Sequence, residues 1–257
     1  MVKNMFKSGV VSVSFRPNSV EEIIEAAKNA CLSGIEWGSD VHAPAGDVAL
    51  VEKIKAESKG AGIETATYGS YFRVGVTSNA EFPKYLESAK ALGSSVIRIW
   101  AYRSVKATEG EEWDKVVADA KEICKMAEPY GIKVCLECHN GSITEDYNTA
   151  LAFLKAVNHE LFGMYWQPNQ LKSLEYNIEA AKALAPYVEA LHVFHFINNE
   201  KAPLSEGTSD WKQYLAIFKE ALGEKCIPAY LEFMPDDKIE TLSREAKTLN
   251  SLISEFN

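Results

Sequence analysis

Eight short apolar runs, each followed by a longer amphipathic stretch, recur along this chain. They span 10–15, 35–38, 63–68, 96–101, 132–137, 162–167, 190–194 and 228–233. Their first residues stand 25 (35 − 10) to 38 (228 − 190) positions apart. A strand with its crossover helix takes about that much chain, and such alternation builds a parallel sheet. Eight units without a break in composition predict closure into an α/β fold of the (β/α)8 TIM barrel type, with residues 1–257 as a single domain. An open, doubly wound sheet is the competing arrangement.

Helix punctuation supports the division. Ser19 to Glu22 reads as a capping box ahead of Ile23 and Ile24. Asp47, Thr108, Ser209 and Asp236 are expected to start other helices. Gly34, Gly62, Gly93, Gly131 and Gly223 follow helical segments, where a left-handed closing residue is wanted.

At 257 residues the chain has the usual length of one such barrel. Its net charge of −9 argues against nucleic acid or an anionic membrane as partner. No stretch approaches the roughly 20 apolar residues that span a bilayer. The first eight residues lack a signal-peptide core, so a cytoplasmic location is expected. The five cysteines are then expected to be reduced thiols. Cys135 and Cys138 spell C-x-x-C, but residues three apart on a strand face opposite ways, so a shared metal or disulfide is not expected.

Three of the runs carry an ionisable residue where it is costly. Glu137 ends Ile132–Glu137, Glu232 ends Pro228–Glu232, and His192 interrupts Val188–Phe194. A charge inside an apolar strand demands a partner or a cation. Equivalent places in a repeating pattern suggest one shared site, with a metal as the natural occupant. The rarer polar residues agree. His42, His139, His192, His195, Arg16, Arg73, Arg98 and Arg103 lie on or just after strands, while His159 and Arg244 lie elsewhere. Barrel active sites gather at those carboxyl ends. Trp37, Tyr68, Tyr71, Trp100, Trp166 and Phe194 cluster there too, and such rings can stack on the apolar faces of a sugar.

Leu136-Glu137-Cys138-His139-Asn140 resembles the xylose isomerase-like TIM barrels. So do Gly34-Ile35-Glu36-Trp37, Arg98-Ile99-Trp100, His192, Ser205-Glu206-Gly207 with Asp210-Trp211, and Leu231-Glu232, in that order along the whole chain. The superfamily includes sugar-phosphate isomerases and epimerases, tagatose-type 3-epimerases, hydroxypyruvate isomerases and proteins like endonuclease IV.

In the epimerase branch, the resemblance implies one divalent cation held by Glu on strand 5, Asp on strand 6, His on strand 7 and Glu on strand 8. Glu137, His192 and Glu232 match three of these. Gln167 stands where the family has Asp, and Gln170 where it has a neighbouring His. An amide oxygen still ligates Mn2+ or Mg2+ but gains less Coulomb energy, so weaker metal binding is expected. Mn2+ is the expected ion, with Mg2+, Zn2+ or Co2+ as alternatives.

The resemblance implies a metal-dependent sugar or sugar-phosphate isomerase or epimerase. Glu137 and Glu232 would move a proton next to a carbonyl through an enediolate. His42, Tyr68, Arg98, Trp100, His139, Gln170 and His195 are the expected substrate-binding residues. Arg16, Arg73, Arg103 and Lys201 are candidates for binding a phosphate or carboxylate. Relatives are often dimers or tetramers, and no feature of this sequence decides for or against a homo-oligomer.

Two alternatives share the scaffold. One is an inosose-type dehydratase, in which the same enolate expels a hydroxyl. The other is a sugar-binding relative without catalysis. A phosphodiesterase with a multi-metal cluster is disfavoured by the few histidines, the two glutamines and the acidic charge.

Overall fold

Ser19 opens the first helix by the expected box. Its hydroxyl accepts the Glu22 amide at 3.2 Å, and the Glu22 carboxylate accepts the Ser19 amide at 2.8 Å. The structure is a computed structural model that describes residues 5–257. Its helices are α1 (Val20–Asn29), α2 (Val48–Gly60), α3 (Phe82–Leu92), α4 (Glu111–Ala127), α5 (Tyr147–Val157), α6 (Leu174–Leu184), α7 (Thr208–Leu222) and α8 (Leu242–Ser254).

Its strands are β1 (Phe6–Val11), β2 (Gly34–Gly38), β3 (Thr67–Val74), β4 (Val96–Ala101), β5 (Lys133–Glu137), β6 (Phe162–Trp166), β7 (Val188–Val193), β8 (His195–Ile197), β9 (Glu200–Ala202) and β10 (Ile227–Leu231). Eight of them close a parallel barrel in the order β1-β10-β7-β6-β5-β4-β3-β2. β8 and β9 form a separate antiparallel hairpin. The fold is the (β/α)8 barrel that the alternation predicts, not an open sheet.

Several local expectations shift. β1 ends where the expected first strand begins, because Ser12–Phe15 turns as a 3-10 helix. The Ser12 hydroxyl accepts the Gly38 amide there at 2.9 Å. The third strand lies later than 63–68, and at the earlier position only Glu64 makes a bridge, to Gly34. Asp47 caps α2 as expected, but α4 and α7 start at Glu111 and Thr208 with Gly110 and Gly207 as caps. Asp236 caps a loop instead, accepting the Lys238 amide at 3.1 Å, well ahead of α8. Gly62, Gly93, Gly131 and Gly223 have positive φ, whereas Gly34 lies in β2 and Cys31 takes the left-handed place after α1.

The barrel interior positions the site through the two-residue period of strands. Val11, Val96, Cys135, Tyr165, Ala190 and Tyr230 form a buried cluster separate from the large core between barrel and helices. Thr67 Oγ1 donates to Tyr230 Oη at 2.9 Å within this plug. Two residues on from Val96, Cys135, Tyr165, Ala190 and Tyr230 stand Arg98, Glu137, Gln167, His192 and Glu232. Each strand therefore lifts a polar side chain one layer above the plug. Cys138, one residue past Glu137, faces away and lines a rim cavity, so the C-x-x-C pair is split as expected.

Candidate active site

Three oxygens crowd one nitrogen in the layer above the plug. His192 Nδ1 lies 3.0 Å from Gln167 Oε1, 3.3 Å from Glu232 Oε2 and 3.5 Å from Glu137 Oε1. The Glu137, His192 and Glu232 donor atoms all lie within 4.8 Å of one another. Ligands about 2.1 Å from a cation stand roughly 3.0 Å apart in an octahedron and 3.4 Å apart in a tetrahedron. The contacts of His192 Nδ1 to Gln167 and Glu232, 3.0 and 3.3 Å, fall in that range, and the one to Glu137, 3.5 Å, lies just beyond it.

Two further observations fit a cation to these residues. Glu232 Oε2, on the Nδ1 side of His192, is buried without a hydrogen-bond partner. The layer's buried charges are also unbalanced. Glu36, Glu137 and Glu232 against Arg98 and a charged His192 give −1 (−3 + 2). A dication that displaces the His192 proton brings that sum to zero, and buried charge needs such compensation. The set of two carboxylates, one amide oxygen and one imidazole suits Mn2+, Mg2+ or Zn2+.

Glu137 is held firmly. Arg98 Nη1 and Trp100 Nε1 both donate to its Oε2. Burial pushes its carboxyl up, but Arg98 and then His192 carry it well below the usual range. Burial likewise pushes the His192 imidazole down, and Glu232 with its neighbours lifts it well above the usual value.

A cavity of about 310 Å³ opens above this layer, with Glu137 and Glu232 in its lining. Trp100 and His139 form one wall, their rings 4.5 Å apart. Tyr71 stands 5.2 Å from Trp100, and Arg16 Nη2 donates to Tyr71 Oη at 2.6 Å. Lys201, on β9, reaches the rim and pairs with Asp237. A second cavity of about 240 Å³ lies between the loops after β5 and β6 and shares His139 and Phe233 with the first. Gln167 and Gln170 line it. Asn177 of α6 clamps that loop by accepting the Asn169 amide at 2.8 Å and donating to the Asn169 carbonyl at 3.1 Å.

The structure thus brings Glu137, Gln167, His192, Glu232, Arg98, Trp100 and His139 together. His42 lies apart, its ring nitrogens 3.2 Å from Ser12 Oγ and 3.1 Å from the Asn18 carbonyl. Tyr68 is buried and donates to the Ala43 carbonyl at 2.7 Å. The strand period turns it to the outer face of β3 and leaves Tyr71 at the cavity. His195 lines a separate cavity of about 100 Å³ with Gln170 and Trp211. Arg103 is exposed and pairs with Glu112, and Arg73 donates to the Tyr102 carbonyl at 2.6 Å.

Sequence reasoning gave Glu36 no role at the site. It sits 1% exposed on β2, bonded to Arg98. A glutamate inside Gly34-Ile35-Glu36-Trp37-Gly38 obeys the same rule that singles out Glu137 and Glu232.

A model of the xylose isomerase-like TIM barrel family matches residues 24–248. The chain belongs to that family. Its fold recurs in the probable 3-DHS dehydratase AsbF of Bacillus anthracis, at TM-score 0.77 and 18% identity over 95% of this chain and 98% of that one. The IOLI protein, solved with a zinc atom, superimposes at 0.76 with 17% identity over 98% and 99%. A D-allulose 3-epimerase from Methylomonas sp. does so at 0.70 with 16% identity over 98% and 100%. A comparison with curated proteins finds no match. Among the described residues, no helix is long and apolar enough to cross a membrane.

Proposed function

We propose that this member of the family is a divalent-cation-dependent isomerase or epimerase of a small sugar or sugar derivative. The observation that carries the reading is the convergence of Glu137 and Glu232 on His192 Nδ1 at the floor of the cavity. Glu137, Gln167, His192 and Glu232 would hold the cation. When bound, it supplies Lewis-acid polarisation of the substrate's carbonyl and hydroxyl oxygens.

The two glutamates are not equivalent. Glu232 lines the cavity and no donor occupies its carboxylate, so with Oε2 toward the cation we assign proton abstraction next to the carbonyl to its other oxygen. Glu137 gives Oε2 to Arg98 and Trp100 and keeps Oε1 toward His192. In a two-base epimerase, Glu137 would have to start protonated and give its own proton to the opposite face, while Glu232 keeps the one it removed. Trp100, His139 and Tyr71 wall the substrate and exclude water.

One observation favours a second reading. Arg98 holds Glu137 as a carboxylate, which makes it a poor proton donor. A single group at Glu232 suffices for a 1,2-shift, handing its proton to the neighbouring carbon, or for loss of a β-hydroxyl, handing it to the departing oxygen as water, so a dehydratase is the alternative.

The test is solvent deuterium exchange into a panel of ketoses and aldoses with Mn2+ present, products followed by NMR. Exchange with retained mass composition supports the isomerase, and loss of water supports the lyase. Ligand binding without exchange contradicts both and leaves a sugar-binding protein.

A further inference from the structure

Arg98 crosses a gap in the sheet to reach Glu36. The two residues sit on β4 and β2, with β3 between them, and Gly69 pairs with both Gly38 and Arg98 in the register. Arg98 Nε donates to Glu36 Oε1 at 3.0 Å over that glycine. A Cβ on Gly69 would meet Glu36 Oε1 and Arg98 Nη2, each at 2.8 Å. Gly69 is not among the positive-φ residues, so its backbone does not require glycine. The space for the ion pair does.

Glu36 Oε1 also lies 3.5 Å from His192 Nε2. The other ring nitrogen, Nδ1, faces Gln167, Glu232 and Glu137. His192 is fully buried, and Glu36 supplies the carboxylate beside its Nε2. On the far side, Arg98 passes from Glu36 to Glu137 Oε2. One buried chain therefore runs His192–Glu36–Arg98–Glu137 and ties together two of the proposed ligands from behind.

We infer that Glu36 is a positioning residue for the cation site. Its carboxylate, 3.5 Å from Nε2, favours by charge the tautomer with the proton on Nε2, so that Nδ1 presents its lone pair, and it anchors Arg98, which orients Glu137. Histidine ligands commonly donate their second ring N–H to a carboxylate, which fixes tautomer and ring orientation. The inference rests on the proposed cation site and adds a residue that touches neither cation nor substrate.

Gly69 allows a test that changes no charge. Wild type, E36Q and G69A are stripped with chelator and titrated with Co2+, read by calorimetry and by visible absorption. Circular dichroism and the melting temperature of each cation-free protein are recorded alongside. The expected result is wild-type uptake at one site, with affinity lower by about 10- to 100-fold in both variants. A changed Co2+ band should accompany the loss, since the His192 ring is no longer fixed. If E36Q does not fold, G69A carries the test. Variants that melt earlier but bind Co2+ as wild type does, with the same spectrum, overturn the inference while the cation site stands. A folded wild type that takes up no Co2+ overturns the site itself and this inference with it.

Discussion

Glu232 Oε2 stands 3.3 Å from His192 Nδ1, yet no donor is aligned on it. Glu137, on the other side of the same nitrogen, has two donors on its Oε2. This asymmetry gives the two carboxylates different expected roles.

Replacing Glu232 by Gln is expected to lower deuterium exchange into substrate by about 10²- to 10⁴-fold, the usual span for a removed general base. Circular dichroism should be unchanged, because Oε2 makes no hydrogen bond that holds the fold. Replacing Glu137 by Gln is expected to cost as much activity and also stability, since Arg98 then loses a buried partner. Equal exchange rates in wild type and both variants would sink the proton-transfer account.

Cation affinity should rise with pH. Burial lowers the His192 imidazole, but Glu232, Glu137 and Glu36 raise it well above the usual value, so the cation-free site carries a proton there at neutral pH. A cation must displace that proton. Apparent Mn2+ affinity is therefore lowest in acid and gains about tenfold per pH unit, flattening once pH passes the raised value. Titrations at several pH values in buffers of equal ionic strength check this, and a flat profile contradicts it.

Gly9→Ala should destabilise the barrel without touching the site. The added Cβ would lie 2.5 Å from Tyr230 Cδ1 and 2.6 Å from the Gly34 carbonyl oxygen, which is backbone. Overpacking of this kind costs about 1–3 kcal/mol. Urea unfolding should show a lower midpoint at an unchanged slope. An unchanged midpoint would mean that β1 and β2 have room the structure does not show.

Thiol labelling separates the cysteines. Cys31 is exposed, whereas Cys124 and Cys135 are buried. Burial pushes the Cys124 thiol up to about 12 and Cys138 likewise to about 12. Thiolate is the reactive form. Peptide mapping after brief alkylation should find Cys31 modified and Cys124 and Cys135 intact until denaturant is added. Rapid modification of Cys135 would contradict its place in the barrel plug.

The barrel was legible because strand and helix alternate with clear punctuation. Its boundaries were less so where side chains line the cavity. Ser70, Tyr71 and Arg73 break the apolar stripe of β3, because Ser70 bonds the Arg98 carbonyl, Tyr71 faces the cavity and Arg73 bonds the Tyr102 carbonyl. Ser12-Val13-Ser14-Phe15 continues an alternating pattern but turns, since Ser12 bonds Gly38 on the next strand. The hairpin at 195–202 had a signal: Asn198-Asn199 takes positive φ at both positions, as two-residue hairpin turns prefer. Glu36 was hidden for another reason. Its partner Arg98 lies 62 residues on, across Gly69, and that pairing exists only in the closed sheet.

The most direct measurement is cation uptake by the chelator-stripped protein, dialysed against Mn2+ and read by elemental mass spectrometry, beside the His192→Ala and Glu232→Gln variants. The account predicts one Mn2+ per wild-type chain and a large loss in both variants. No uptake by folded wild type in excess Mn2+, or equal uptake in all three proteins, would contradict a cation site at Glu137, Gln167, His192 and Glu232.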